Sequence, residues 1–138
     1  LGSAFQVTSP PTKKTNFFVT QFKTNTAPAT TQPASTPVYT EIVVVTDVSQ
    51  TVRPTLTLGA LSTGADAISA DNSASKAVFN HLTTITLYGL AVVSVNVAGT
   101  SSGYTGDILY GTVLYSPALA VQNGYEVDVQ ATIQATAG

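Results

Sequence analysis

The chain has 138 residues, with five Lys or Arg against seven Asp or Glu, a formal net charge of -2, and no Cys, Met or Trp. So few cations exclude the clustered basic footprint that nucleic acid requires. The absence of cysteine excludes a disulfide framework and a thiolate metal site.

One domain of this size buries roughly 68% of its unfolded surface, enough for a core without covalent staples. No run of 18 apolar residues occurs, so no membrane span is expected. Leu1 in place of an initiator Met is expected of a processed terminus, of a segment upstream of this sequence, or of a cloning remnant.

From the start of the chain, Ala4 to Thr8 predicts a short strand that ends at Pro10-Pro11. Asn16 to Lys23 (Asn-Phe-Phe-Val-Thr-Gln-Phe-Lys) is a second β-like run, rich in aromatic and β-branched residues. Lys13, Lys14 and Lys23, the local basic excess, are expected to solubilise a strand edge. Thr24 to Pro37 carries Pro28, Pro33 and Pro37 without apolar periodicity. It reads either as a polyproline-like connector or as an ordinary long surface loop. Residues 1-37 are therefore expected to form an arm and connector, and 38-138 the main domain.

Val38 to Val48 and Gln50 to Ala60 predict strands, with Pro54 placing the second at a sheet edge or a bulge. Ser62 to Ser75 predicts a small-residue loop, and the apolar spacing of Asp66 to Phe79 is poor for a helical turn. Thr83 to Tyr88 and Leu90 to Ala98 follow, as two strands or as one strand bent at Gly89. Gly99 to Gly106 is a glycine-rich loop.

The last third has the clearest pattern. Asp107 to Tyr115 is apolar on both parities, so it is expected to be covered on both sides. Ser116-Pro117 is expected to stop it, and Asn123-Gly124 to turn the chain into a hairpin. In the second strand Tyr125, Val127, Val129, Ala131 and Ile133 alternate with Glu126, Asp128, Gln130, Thr132 and Gln134. Side chains alternate across a strand, so one face is buried and the other wet. Six to eight short strands and no amphipathic helix predict an all-β protein, an antiparallel β-sandwich of jelly-roll or immunoglobulin-like type with an extended N-terminal arm.

Candidate chemistry is thin. Gly99-Thr-Ser-Ser-Gly103 has the spacing of a nucleophile elbow, but a β-run follows it, and His81, the only histidine, precedes Ser101. Asp66, Asp71, Asn72 and Ser73 offer hard oxygens without the spacing of a twelve-residue calcium loop. The six tyrosines suit a sugar platform less well than packing, since Trp is absent. No catalytic residue, metal site or cofactor is expected.

Three stretches carry a resemblance: Thr84-Ile-Thr-Leu-Tyr-Gly-Leu90, Gly106 to Pro117 with its closing Ser-Pro, and Leu119 to Ile133 around Asn123-Gly124. Together they resemble the C-terminal half of small virion-surface proteins of tailed phages and archaeal viruses, of the tail-fibre and head-decoration type. Tyr125 stands where the viral pattern places Asp. Secreted β-sandwich subunits of pilus-like filaments are similar in the same grammar. Either resemblance implies a non-enzymatic structural subunit, extracellular or on a virion surface. Its partners would be copies of itself and a capsid or tail protein.

A carbohydrate-binding module is the further alternative. Within the assembly reading, Phe17, Phe18, Val19 and Phe22 are the expected subunit-interface residues, because a free β-strand gains most by joining a neighbour's sheet edge. A connector of about 14 residues reaches roughly 40 Å when extended as polyproline.

Overall fold

A computed structural model describes residues 16-26, 39-65, 67-97 and 109-136. Eight strands lie within them and no helix: β1 (Phe18–Phe22), β2 (Ser62–Thr63), β3 (Ala67–Asp71), β4 (Ala77–Asn80), β5 (Ile85–Val93), β6 (Leu109–Val121), β7 (Glu126–Val129) and β8 (Thr132–Thr136). They form an all-β arrangement of three sheets, ordered β1-β5-β6, β2-β3-β8 and β4-β7. Every strand pairing is antiparallel. Among the described residues no helix is long and apolar enough to cross a membrane.

The principal core lies between the first sheet and the β4-β7 pair. Val19, Leu87 and Val121 from the first sheet meet Ala77, Phe79 and Val129 from the second in one buried cluster. A smaller cluster, Phe22, Tyr39, Ala91 and Val93, lies apart from it. Along β5 the residues packed against the main cluster change parity at Gly89, from Ile85 and Leu87 to Leu90 and Val92. The register with β6 shifts at that point too, from Leu87 opposite Leu119 to Gly89 opposite Leu114. The strand bent at Gly89 is thus one strand. A Cβ on Gly89 would run into the Val113 carbonyl and the Phe22 ring, so the close approach requires glycine.

Several expectations are corrected. Pro117 does not stop β6, because Tyr115 to Ala118 bow out of the ladder, where no backbone donor is needed. The C-terminal hairpin is not a hairpin: β6 pairs with β5 and β7 pairs with β4. Gly124, at φ 85°, donates its N–H to the His81 carbonyl at 2.8 Å, and His81 donates its own to Tyr125 at 2.8 Å. The turn therefore docks on a third segment and redirects the chain between sheets.

Val38 to Val48 is not a strand among its described residues. The amides of Thr46 and Asp47 both donate to the Val43 carbonyl, and the Asp47 carboxylate accepts from the Val43 amide at 2.7 Å. This local turn, with Val45 in the left-handed region at φ 63°, outcompetes a ladder. Gln50 to Ala60 makes one isolated bridge, Phe18 opposite Thr55. The expected loop at Ser62 to Ser75 instead contains β2 and β3.

Candidate assembly surface

β1 is held on both edges and both faces. On one side it pairs with β5 from Phe18 opposite Val93 to Phe22 opposite Gly89. On the other, Val19 donates to Pro54 at 2.9 Å, Leu56 to Phe17 at 2.7 Å, Lys23 to Thr40 at 2.7 Å and Ile42 to Gln21 at 3.0 Å. Val19 belongs to the principal core and Phe22 to the smaller one. The Phe22 ring stacks on Tyr39 with centroids 4.9 Å apart, and Phe17 meets Tyr110 edge-on at 4.9 Å.

Of the four expected interface residues, Val19 and Phe22 are 0% exposed within their own chain, while Phe17 and Phe18 are half-buried. Contact of Val19 or Phe22 with a neighbour therefore requires β1 to leave this seat for the equivalent seat of another subunit.

A buried polar centre fixes the seat. Arg53 donates from Nε and Nη2 to the two carboxylate oxygens of Glu41, each at 2.8 Å, and from Nη1 to the Val95 carbonyl at 2.8 Å. Thr20 of β1 donates its hydroxyl to Glu41 Oε1 at 2.6 Å. Both charged side chains are 1% exposed. This fork-to-fork geometry satisfies the charges that burial strips of water. Beside it Gln21 is fully buried, and no well-formed hydrogen bond reaches its amide. The amide faces the Tyr115 phenol, whose pKa burial raises, with Gln21 opposing the rise.

Sequence reading missed Glu41 and Arg53. The available signal was a charge set within otherwise apolar β-like runs, in a chain with few charges to spare.

At the opposite side of the same sheet, β6 is an edge strand: among the described residues nothing pairs with it except β5. Its 13 residues contain no charged side chain. Among the described residues the expected cover on both sides is not there, and Tyr110, Val113, Leu114 and Leu119 are 38–50% exposed. An apolar groove of about 390 Å³ runs from Tyr110 and Gly111 past Phe17, Leu56 and Val92 to Ile133.

The remaining candidates have structural posts. Ser101 and Asp66 lie outside the described residues, as does the Ala4 to Thr8 run. Asp71 accepts from the amide and hydroxyl of Ser73 at 2.8 and 2.6 Å, and these bonds lower its pKa. Asn72 holds the break between β7 and β8, donating to the Val129 carbonyl and accepting from the Ala131 amide.

Asp47 would have its pKa raised by burial, but Lys23 at 2.8 Å and the Val43 amide outweigh this and hold it low. His81 is buried with both ring nitrogens unpartnered, and burial lowers its pKa against the opposing pull of Asp47. Among the described residues no three His, Cys, Asp or Glu side chains gather as a metal site.

Comparison with protein-family models, with curated proteins and with solved structures finds no match to this chain.

Proposed function

We propose that the protein is a non-enzymatic structural subunit of a large extracellular assembly, most favourably one on a virion surface as a capsid-decoration or tail protein. The observation that carries this reading is β6, an uncharged strand that among the described residues has an open edge and exposed apolar side chains. Natural sheets blunt such edges with Lys, Pro, bulges, inward-pointing charge or cover, because an open edge recruits further strands. β6 carries Pro117 and two register shifts, and between the shifts it carries none of these. A regular edge stretch from Gly111 to Leu114 with exposed Val113 and Leu114 suits a chain whose working state is assembled.

The sheets fit a sandwich of jelly-roll or immunoglobulin-like type, with β1-β5-β6 and β4-β7 as facing layers over the principal core. Joining by the N-terminal strand takes the form of exchange: a neighbour's β1 fills the seat between β5 and the Glu41 and Pro54 segments. That seat also supports the alternative of a pilus-like filament polymerising by donor-strand exchange, since its bonds do not depend on which copy supplies the strand.

Immunogold labelling of the native source material with an antibody to this chain tests the reading. Gold on virus particles is expected. Gold on filaments selects the alternative, and a chain found free, on neither, overturns both.

A further inference from the structure

The open edge also specifies a partner. We propose that two copies of this chain join by antiparallel pairing of their β6 strands about a twofold axis at Val113. The paired sheet would run β1-β5-β6 and then the same three strands of the copy in reverse order. This deepens the assembly reading and rests on it for its biological setting, though not for its test.

Three observations favour a second copy as the occupant. First, β6 carries no charge, so it offers no electrostatic code by which a different partner would be selected. An isologous contact needs none, because the same patch meets itself. Second, the geometry is self-complementary. A twofold perpendicular to a sheet keeps each face on its own side, so every residue of β6 meets one of its own parity. The axis therefore falls on a residue that faces itself. The regular ladder with β5 between its two register shifts covers Gly111 to Leu114. Within it Val113, 50% exposed, is the more exposed of the two large apolar side chains.

Pro117, which lacks an N–H, lies beyond that stretch and does not interrupt it. Third, the size fits. With the axis at Val113, Leu109 to Pro117 of each copy overlap, and these nine residues of β6 extend roughly 30 Å at about 3.3 Å per residue. An edge that long and about 10 Å deep covers roughly 300 Å². The exposed Tyr110 and Leu114 beside it widen the contact toward the ~800 Å² per partner of a stable interface.

The absence of cysteine makes the test clean. Val113→Cys is compared under mild oxidation with Val52→Cys, which lies outside the strands and is 43% exposed. Directly opposed strand residues bring their Cβ atoms within about 5.5 Å, near disulfide reach. We expect the full chain to sediment as a dimer, Val113→Cys to form a covalent dimer at least tenfold faster than Val52→Cys, and Val113→Lys to sediment as a monomer.

Should Val113→Lys fail to fold, the crosslinking comparison decides alone. Equal crosslinking of the two cysteine variants overturns the proposal, as does a full chain that stays monomeric. If removing residues 1-15 turns such a monomer into a dimer, the edge belongs to the chain's own N-terminal segment, which also overturns it. A monomer that still labels particles defeats the β6 pairing and spares the assembly reading. A dimer found on no assembly does the reverse.

Discussion

At the scale of single residues, the Glu41–Arg53 pair is a buried ion pair that β1 helps to satisfy. Both side chains are 1% exposed, and Thr20 ties the carboxylate to β1. Removing one partner of a buried pair leaves an uncompensated charge, typically a loss of about 3–5 kcal/mol. Glu41→Gln is therefore expected to lower stability by about 4 kcal/mol in urea unfolding. The double variant Glu41→Leu/Arg53→Met should recover most of that loss, since it buries no charge. A double variant as unstable as the single one would show that packing, and not charge, dominates the site.

His81 supplies a pH dependence whose sign follows from its burial. Its folded pKa is lowered, so the unfolded chain takes up the proton first. Stability should thus fall as pH drops through the unfolded value of about 6.5 and go on falling toward the lower folded value. Asp47, also lowered, adds a loss of the same sign at lower pH, below the usual carboxylate value. His81→Leu should flatten the decline between about pH 7 and pH 5.5. If melting temperatures of the two proteins fall in parallel over that range, another group is responsible.

At the scale of elements, alternation was legible where a strand has one wet face. Val129 is 4% exposed, Val127 and Ala131 pack against the same core, and Glu126 and Asp128 face water. Val129→Asp is expected to prevent folding, because an unpaired buried charge costs several kcal/mol, comparable with total stability. Asp128→Asn should change stability by no more than about 0.5 kcal/mol, since its nearest cation, Lys76, is 4.0 Å away and exposed. Equal melting of the two variants would refute the parity.

The ends of that pattern misled. Tyr125 is 57% exposed in the turn and Ile133 45% exposed on β8, because the run breaks at Gln130-Ala131 and its halves pair with different strands. Alternation specifies faces, and it does not say which strand lies alongside. The expected hairpin failed for the same reason. β3 escaped notice because Ala-Ile-Ser-Ala-Asp has too little apolar contrast to stand out, and β8 supplies its ladder from far along the chain. The turn at Val43 to Asp47 was hidden by a run of valines, whose strand propensity yields to one well-placed carboxylate.

For the whole molecule, the question is whose β1 fills the seat. Burial of Val19 and Phe22 alone is worth about 3–6 kcal/mol, against a total stability of about 5–15 kcal/mol. The chain without residues 1-23 is therefore expected not to fold, whether the strand normally comes from the same copy or from a neighbour. A synthetic peptide of residues 16-26 should restore it, because the seat's bonds require only that strand's backbone, Thr20 and the two core side chains. Origin is decided by a lock. Val19 lies directly opposite Val92, and in a chain without native cysteine the monomeric fraction of oxidised Val19→Cys/Val92→Cys carries this one bond within its own chain. Oxidised within one chain, this variant can no longer exchange β1, although its β6 edge stays open. Assembly by strand exchange predicts that the locked chain fails to polymerise and that reduction restores it. A locked chain that assembles as well as the reduced one would refute exchange and leave β6 as the joining surface.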